Sequence, residues 1–177
     1  MTRYLVADTH FGDPDVLDYT GRSFGSVGAM NDALLAGWNR VVGAGDEVLF
    51  VGDLAVPSEP TTVRRWLSRL RGDVTFVAGN HDDGARRSHA VDARESYRFE
   101  ASGRRFRYVH RPDDVPPDRD GWLVHGRHHD TRPEKYPFLD PDARRVNVGV
   151  EFLGYEPLSV GELLDYVAAG RRLRRRP

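Results

Sequence analysis

Three short stretches decide how this chain is read: Leu5-Val6-Ala7-Asp8-Thr9-His10, Leu49-Phe50-Val51-Gly52-Asp53 and Phe76-Val77-Ala78-Gly79-Asn80-His81-Asp82. Each is an apolar run of strand length that breaks off into carboxylates, amides and imidazoles. Two further runs end the same way, Tyr108-Val109 at His110 and Leu123-Val124 at His125-Gly126-Arg127-His128-His129. Six of the 7 histidines stand at such ends, and His89 is the exception. In open α/β sheets the crevice beyond the carboxyl ends of the strands is where ligands bind. A single Asp-x-His or Gly-Asn-His is ordinarily a turn or a helix cap. Five such ends in one chain point to a metal centre.

Working outward, helical patterns separate these runs. Ser26 reads as the N-cap of a helix reaching about residue 42, with Val27, Met30, Leu34, Trp38 and Val41 on one face. Val63, Trp66, Leu67 and Leu70 mark a second helix ended by Gly72. Ser159 and Glu162 form a capping box for a last helix, with Leu163, Leu164 and Val167 as its buried stripe and Gly170 as its stop. Residues 3–7, Glu47–Val51, 74–78, 122–124 and 146–152 read as strands, and 98–101 with 104–109 as a hairpin about Ser102-Gly103. The Pro- and Asp-rich stretches 111–120 and 130–145 read as loops. Strands alternating with helices predict an α/β fold.

The chain of 177 residues, 39% hydrophobic and 30% charged, suits one globular domain over 1–170, followed by an Arg-rich tail at 171–177. No apolar run approaches the roughly 18 residues of a membrane helix, so no membrane partner is expected. The opening residues turn acidic too soon for a signal peptide, so the expected location is cytoplasmic. With Cys 0, disulfides, thiolate zinc sites, iron–sulfur clusters and cysteine nucleophiles are excluded. Any metal must be held by His, Asp, Glu, Asn or backbone. The net charge of −1 indicates no polyanion partner for the chain as a whole. Arg171, Arg172, Arg174, Arg175 and Arg176 concentrate positive charge at the end, where a solvated tail is expected and a nucleic-acid contact is the alternative.

In order, Asp8-x-His10, Gly52-Asp53, Gly79-Asn80-His81-Asp82, His110 and the His-Gly-x-x-His at 125–129 resemble the motif series of the calcineurin-like metallophosphoesterases. The flanks Phe11-Gly12, Arg22-Ser23-Phe24, Met30-Asn31, Trp38-Asn39 and Val146-Asn147-Val148-Gly149-Val150 resemble the compact bacterial and phage-type branch. The resemblance spans residue 3 to about residue 165 and implies a four-layer α/β/β/α sandwich with two mixed sheets. It also implies a centre of one or two divalent ions at one edge. The activity it implies is hydrolysis of a phosphate mono- or diester by metal-activated hydroxide, with a nucleotide or oligonucleotide diester among the substrates. Carried over residue by residue, Asp53 takes the bridging position. Asp8, His10 and His129 match the other ligands of the first metal, and Asn80 and His110 match two ligands of the second. Nitrogen and oxygen ligation without sulfur suits Mn, Fe, Zn or Ni. His81 matches the general acid that protonates the leaving alkoxide. Asp82 orients it or caps the following segment, and Arg22 either faces the substrate phosphate or is an exposed loop arginine.

Two departures stand out. Gly52-Asp53 continues as Leu54-Ala55-Val56, without the Asp-Arg of the Ser/Thr protein phosphatases. The family's final Gly-His-x-His is here Gly126-Arg127-His128-His129, and a guanidinium has no lone pair to give a metal. In an extended segment residues 125, 127 and 129 share a face, which would aim Arg127 at the second metal. It would then weaken that site or grip the substrate phosphate in its place. The competing reading is a non-catalytic phosphoesterase fold serving as a binding scaffold. Arg127 is its support, and His81 argues against it.

Overall fold

The computed structural model describes residues 1–88, 91–115 and 120–177; His89 and positions 116–119 of the 111–120 loop lie outside the described residues. The quoted apolar runs form the middle of two mixed sheets. In the first, β1 (Arg3–Val6), β2 (Glu47–Val51), β3 (Asp73–Val77) and β4 (Ala93–Arg94) run parallel, and β10 (Leu158–Ser159) closes the other edge antiparallel to β1. In the second, β5 (Tyr97–Ala101), β6 (Arg104–Tyr108), β7 (Trp122–His125), β8 (Leu139–Asp140) and β9 (Arg145–Asn147) take the order β5-β6-β7-β9-β8. Parallel strands covered on both faces are apolar throughout, as Val48, Leu49, Phe50 and Val51 of β2 are. Both sheets contribute to one continuous core.

The chain also forms α1 (Val16–Tyr19), α2 (Val27–Val41), α3 (Pro60–Leu67), α4 (Asp83–Arg87), α5 (Val150–Leu153) and α6 (Val160–Ala169). On α2 the Ser26 cap accepts from Ala29 N, and Trp38 packs 6.2 Å from Phe50. On α3, Trp66 stacks 4.3 Å from Phe11. The capping box of α6 and its left-handed Gly170 stop both form, with Leu163 and Val167 buried and Leu164 half-buried. No helix among the described residues is long and apolar enough to cross a membrane.

Five local expectations change. The 146–152 strand stops at Asn147, whose Oδ1 accepts from Gly149 N at 3.0 Å, and this turn sends the chain into α5. The 130–145 loop contains β8, and the 111–120 loop opens with a 3₁₀ turn at Pro112–Asp114. Helix α3 ends at Leu67, short of Gly72, leaving Leu70 buried in the turn beyond it. The Arg-rich tail is not a free solvated run. Leu173 exchanges backbone hydrogen bonds with Leu139 at 3.0 and 2.9 Å, and Arg176 N donates to Phe152 O. Its guanidinium groups meet Asp140, Glu134, Asp130 and Glu162.

One seam positions the site. Beyond β1, Ala7 N donates to Val148 O at 2.8 Å and Val150 N to Ala7 O at 3.2 Å, while Val148 N donates to His125 O at 2.9 Å. The two sheets are therefore stitched together where β1, β7 and β9 end.

Candidate metal centre

At that seam the backbone turns against its usual preference. Asp8 (φ 59), His10 (φ 50), Asp53 (φ 60), Arg127 (φ 77) and His129 (φ 46) are left-handed. Such conformations cost about 1–3 kcal/mol each and cluster at functional sites. Here they end each strand sharply and turn its last polar side chains inward. Close approach demands glycine at two positions. A Cβ on Gly52 would lie 2.4 Å from His110 Nδ1, and one on Gly79 would lie 2.1 Å from Asp53 Oδ1.

Two groups of buried donors result, Asp8–His10–His129 and Asp8–Asp53–His110, each with its ligand atoms within 4.8 Å of one another. Each imidazole has Nδ1 held from behind: His10 by Asp13 at 2.9 Å, His129 by Glu151 at 2.8 Å and His110 by Val51 O at 2.9 Å. This leaves each Nε2 as the free ligand atom, the usual arrangement of metal-binding histidines. His10 Nε2 and Asp53 Oδ2 are buried without a hydrogen-bond partner and lie 3.6 Å apart. His110 Nε2 is 3.1 Å from the same Asp53 oxygen, without hydrogen-bond alignment, and 3.1 Å from Asn80 Oδ1. Orphaned nitrogen and oxygen donors converging in a buried space fit a divalent cation. Asp8 belongs to both groups, a sharing the sequence reading reserved for Asp53.

The charge balance agrees. Burial alone would lower the pKa of His10 and of His110, but Asp13, Asp53 and Asp8 around His10, and Asp53, Asp8 and the Val51 carbonyl around His110, push each up to about 9. Burial would raise Asp53, yet the imidazoles of His10 and His110 facing its carboxylate hold it far below the usual carboxylate range. Glu151 is likewise brought down to about 2, against its burial, by Arg22 and His129. Without a cation the raised basicity of His10 and His110 lets their protons balance the Asp53 carboxylate. Metal binding must displace those protons.

The sequence-predicted ligands Asp8, His10, Asp53, His110 and His129 come together, with Asn80 half-buried at their edge. His81 is exposed at the mouth, its ring 5.4 Å from that of His10 and its backbone N–H donating to Asp53 Oδ1 at 2.8 Å.

Three expectations are corrected. Asp82 neither orients the His81 ring nor caps α4 through its side chain; its buried carboxylate accepts from Asp53 N, Leu54 N and Gly79 N, tying two ligand loops together. Arg22 is neither exposed nor turned to substrate. Its guanidinium is buried against Glu151, Thr9 O and Asp8 O. Arg127 is not in an extended segment, because the left-handed turns at 127 and 129 break the shared face. Its N–H donates to the Asp8 carboxylate at 3.1 Å, and its half-buried side chain borders the same cavity as His81. No carboxylate among the described residues pairs with it.

Sequence reasoning missed Asp13 and Glu151, the carboxylates behind His10 and His129. Glu151 carried a signal, as the single acid in the apolar run 148–153. His125 was left without a role. It is buried, and burial pushes its pKa down to about 3, so it serves as a neutral residue with Nδ1 3.0 Å from Gly126 O.

Similarity to known proteins follows the same lines. An uncharacterized protein of Methanocaldococcus jannaschii, MJ1445, is 34% identical over 173 residues, covering 97% of this chain and 94% of its own. The crystal structure of AQ665 from Aquifex aeolicus, a protein of unknown function, overlays with a TM-score of 0.68 at 20% identity, over 93% of this chain and 98% of that one. A single mutant of Vps29 from Entamoeba histolytica overlays with a TM-score of 0.47 at 18% identity, over 83% and 73% of the two chains. The family model for calcineurin-like phosphoesterases matches residues 1–171, so the chain belongs to the calcineurin-like phosphoesterase family.

Proposed function

We propose that this protein is a metal-dependent hydrolase of phosphate mono- or diesters, with Asp8, His10, Asp53, Asn80, His110 and His129 as metal ligands. The observation that carries this reading is the pair His10 Nε2 and Asp53 Oδ2, buried, unpartnered and 3.6 Å apart, with Nδ1 of all three ligand histidines held from behind. Divalent ions bound there, Mn, Fe, Zn or Ni, would polarise the phosphoryl group and acidify water.

The chain's own groups do the rest. Asp82 clamps the Gly52–Asp53 and Gly79–Asn80 turns, so that both ligand loops move as one unit. His81 stands at the mouth, anchored through its N–H to Asp53, and supplies the proton to the leaving oxygen. Substrate enters through a cavity of about 530 Å³ lined by Tyr19, His81, Arg127 and His129.

The deciding experiment is a metal-supplemented activity screen against aryl phosphomonoesters, aryl phosphodiesters and 2′,3′-cyclic nucleotides, with bound metal counted in parallel. Turnover that chelator abolishes is expected. Silence with every metal, in protein that nevertheless binds metal, would leave the scaffold reading in its place.

A further inference from the structure

A second cavity, of about 520 Å³, opens on the Asn80 and His110 side of the centre, away from Tyr19 and His129. Arg107 on β6 and Arg111 beyond it line the wall. Arg107 Nε is buried without a hydrogen-bond partner, and neither guanidinium has a carboxylate within ion-pair distance among the described residues. A buried, unsatisfied donor on a permanently charged group is costly unless an anion completes it.

The acidic side chains nearby do not complete it. Glu95 is taken by Arg86 at 3.0 Å, Asp83 lies 3.6 Å from the same arginine, and Asp114 stands exposed at the rim. Arg86 is itself committed, donating to Gly79 O at 2.9 Å. Among the described residues, the guanidinium groups of half-buried Arg107 and exposed Arg111 therefore stand beside the centre without a carboxylate partner, and Arg111 also borders a small cavity shared with Arg127 and His128.

We propose that this cavity is a subsite for a second phosphoryl group, so that the preferred substrate carries at least two. The proposal rests on the hydrolase reading for its position next to the reacting phosphate. Planar guanidinium forks suit a phosphoryl group's oxygens better than any neutral ligand. The second group would come from a nucleotide bearing two phosphates or from a diphosphate without a nucleoside.

Equilibrium binding to the full-length, metal-loaded protein, with free Mn²⁺ buffered at one level, tests this without turnover. Thymidine 3′,5′-bisphosphate is compared with thymidine 5′-phosphate, and methylenebisphosphonate with methylphosphonate. The extra phosphoryl group should tighten binding at least about tenfold in one pair or both, and the responding pair identifies the source. Arg107→Gln with Arg111→Gln should bring the ratio close to one, and Arg107→Lys should restore part of it, with bound metal as in the parent. A ratio near one in the unmodified protein, or one that survives the double change, overturns the proposal. Binding of the bisphosphate without hydrolysis of any ester would keep the subsite and remove the enzyme; hydrolysis without a binding gain would do the reverse.

Discussion

Around His10 and His129, each imidazole is braced by a buried carboxylate, Asp13 at 2.9 Å and Glu151 at 2.8 Å, and Glu151 is held in turn by Arg22. Around His110 the brace is a backbone carbonyl, Asn80 is half-buried, and Arg127 stands where the family's second imidazole would be. A carboxylate behind a ligand histidine fixes its tautomer and raises its basicity. The first half is thus organised to hold a cation tightly. The second half counts as many donors, Asp8, Asp53 and His110 with Asn80 at the edge, but has no carboxylate brace and adjoins a cavity whose wall carries Arg107 and Arg111. On the proposed assignment of ligands, the two metal positions would be unequal because the groups behind their donors are unequal.

The largest effect is expected where the halves meet. Asp53 Oδ2 lies 3.6 Å from His10 Nε2 and 3.1 Å from His110 Nε2, so Asp53→Asn should release metal from both and abolish turnover. A cation present at 100 times its dissociation constant stabilises the unmodified fold by about 2.7 kcal/mol. The melting temperature should therefore rise with metal in the parent and not in the variant. A parent whose melting temperature and activity ignore chelator would remove the centre altogether.

His81→Ala probes the mouth, which belongs to neither half. Bound metal should stay at the parent level while turnover falls by roughly 10² to 10⁴, the range of a lost general acid. Esters of acidic leaving groups such as nitrophenolate should suffer least, because they hardly need the proton. An equal loss for good and poor leaving groups would deny His81 that role.

The braces themselves come next. Asp13→Asn should weaken metal binding at the first half by about 10- to 100-fold and leave the second half as it was. Glu151→Gln should do the same and also lower stability by about 3–5 kcal/mol, because it strips Arg22 of a buried partner. Metal titration by calorimetry separates the two affinities. If both variants bind both equivalents like the parent, the inequality does not come from the braces.

Much of this was legible before the structure, for a physical reason. A strand ending in metal-ligating groups is a local pattern, and Asp8, His10, Asp53, His110 and His129 each sit at the end of an apolar run. What stayed hidden was non-local or conformational. Asp82 looks like a cap from its neighbours alone, and its three backbone donors come from turns brought together only in the fold. Arg22 is buried because Glu151, remote in sequence, receives it. The tail's pairing with β8 likewise needs two distant segments to meet. At Arg127 spacing alone suggested an extended segment, whereas close packing of the segment against Asp8 forces left-handed turns.

Arg127→His should give the smallest change and the most direct test of the inequality. At 4 Å and an effective dielectric near 20, a unit charge repels another by roughly 4 kcal/mol, and a divalent ion by more. The turn at residue 127 and the half-buried side chain let the guanidinium draw back towards the His81 cavity, so the penalty at the second position is reduced but not removed. The parent should accordingly bind about one metal tightly and need excess metal for full activity. The histidine variant should bring the stoichiometry towards two and raise turnover modestly at limiting metal. If Arg127 instead grips the substrate phosphate, metal content will rise while turnover falls, because a ligand has replaced a substrate contact. Both results keep the two halves unequal in the parent. Two equally tight metals in the unmodified protein would end that account, since Asn80, His110 and the shared carboxylates would then suffice beside a guanidinium.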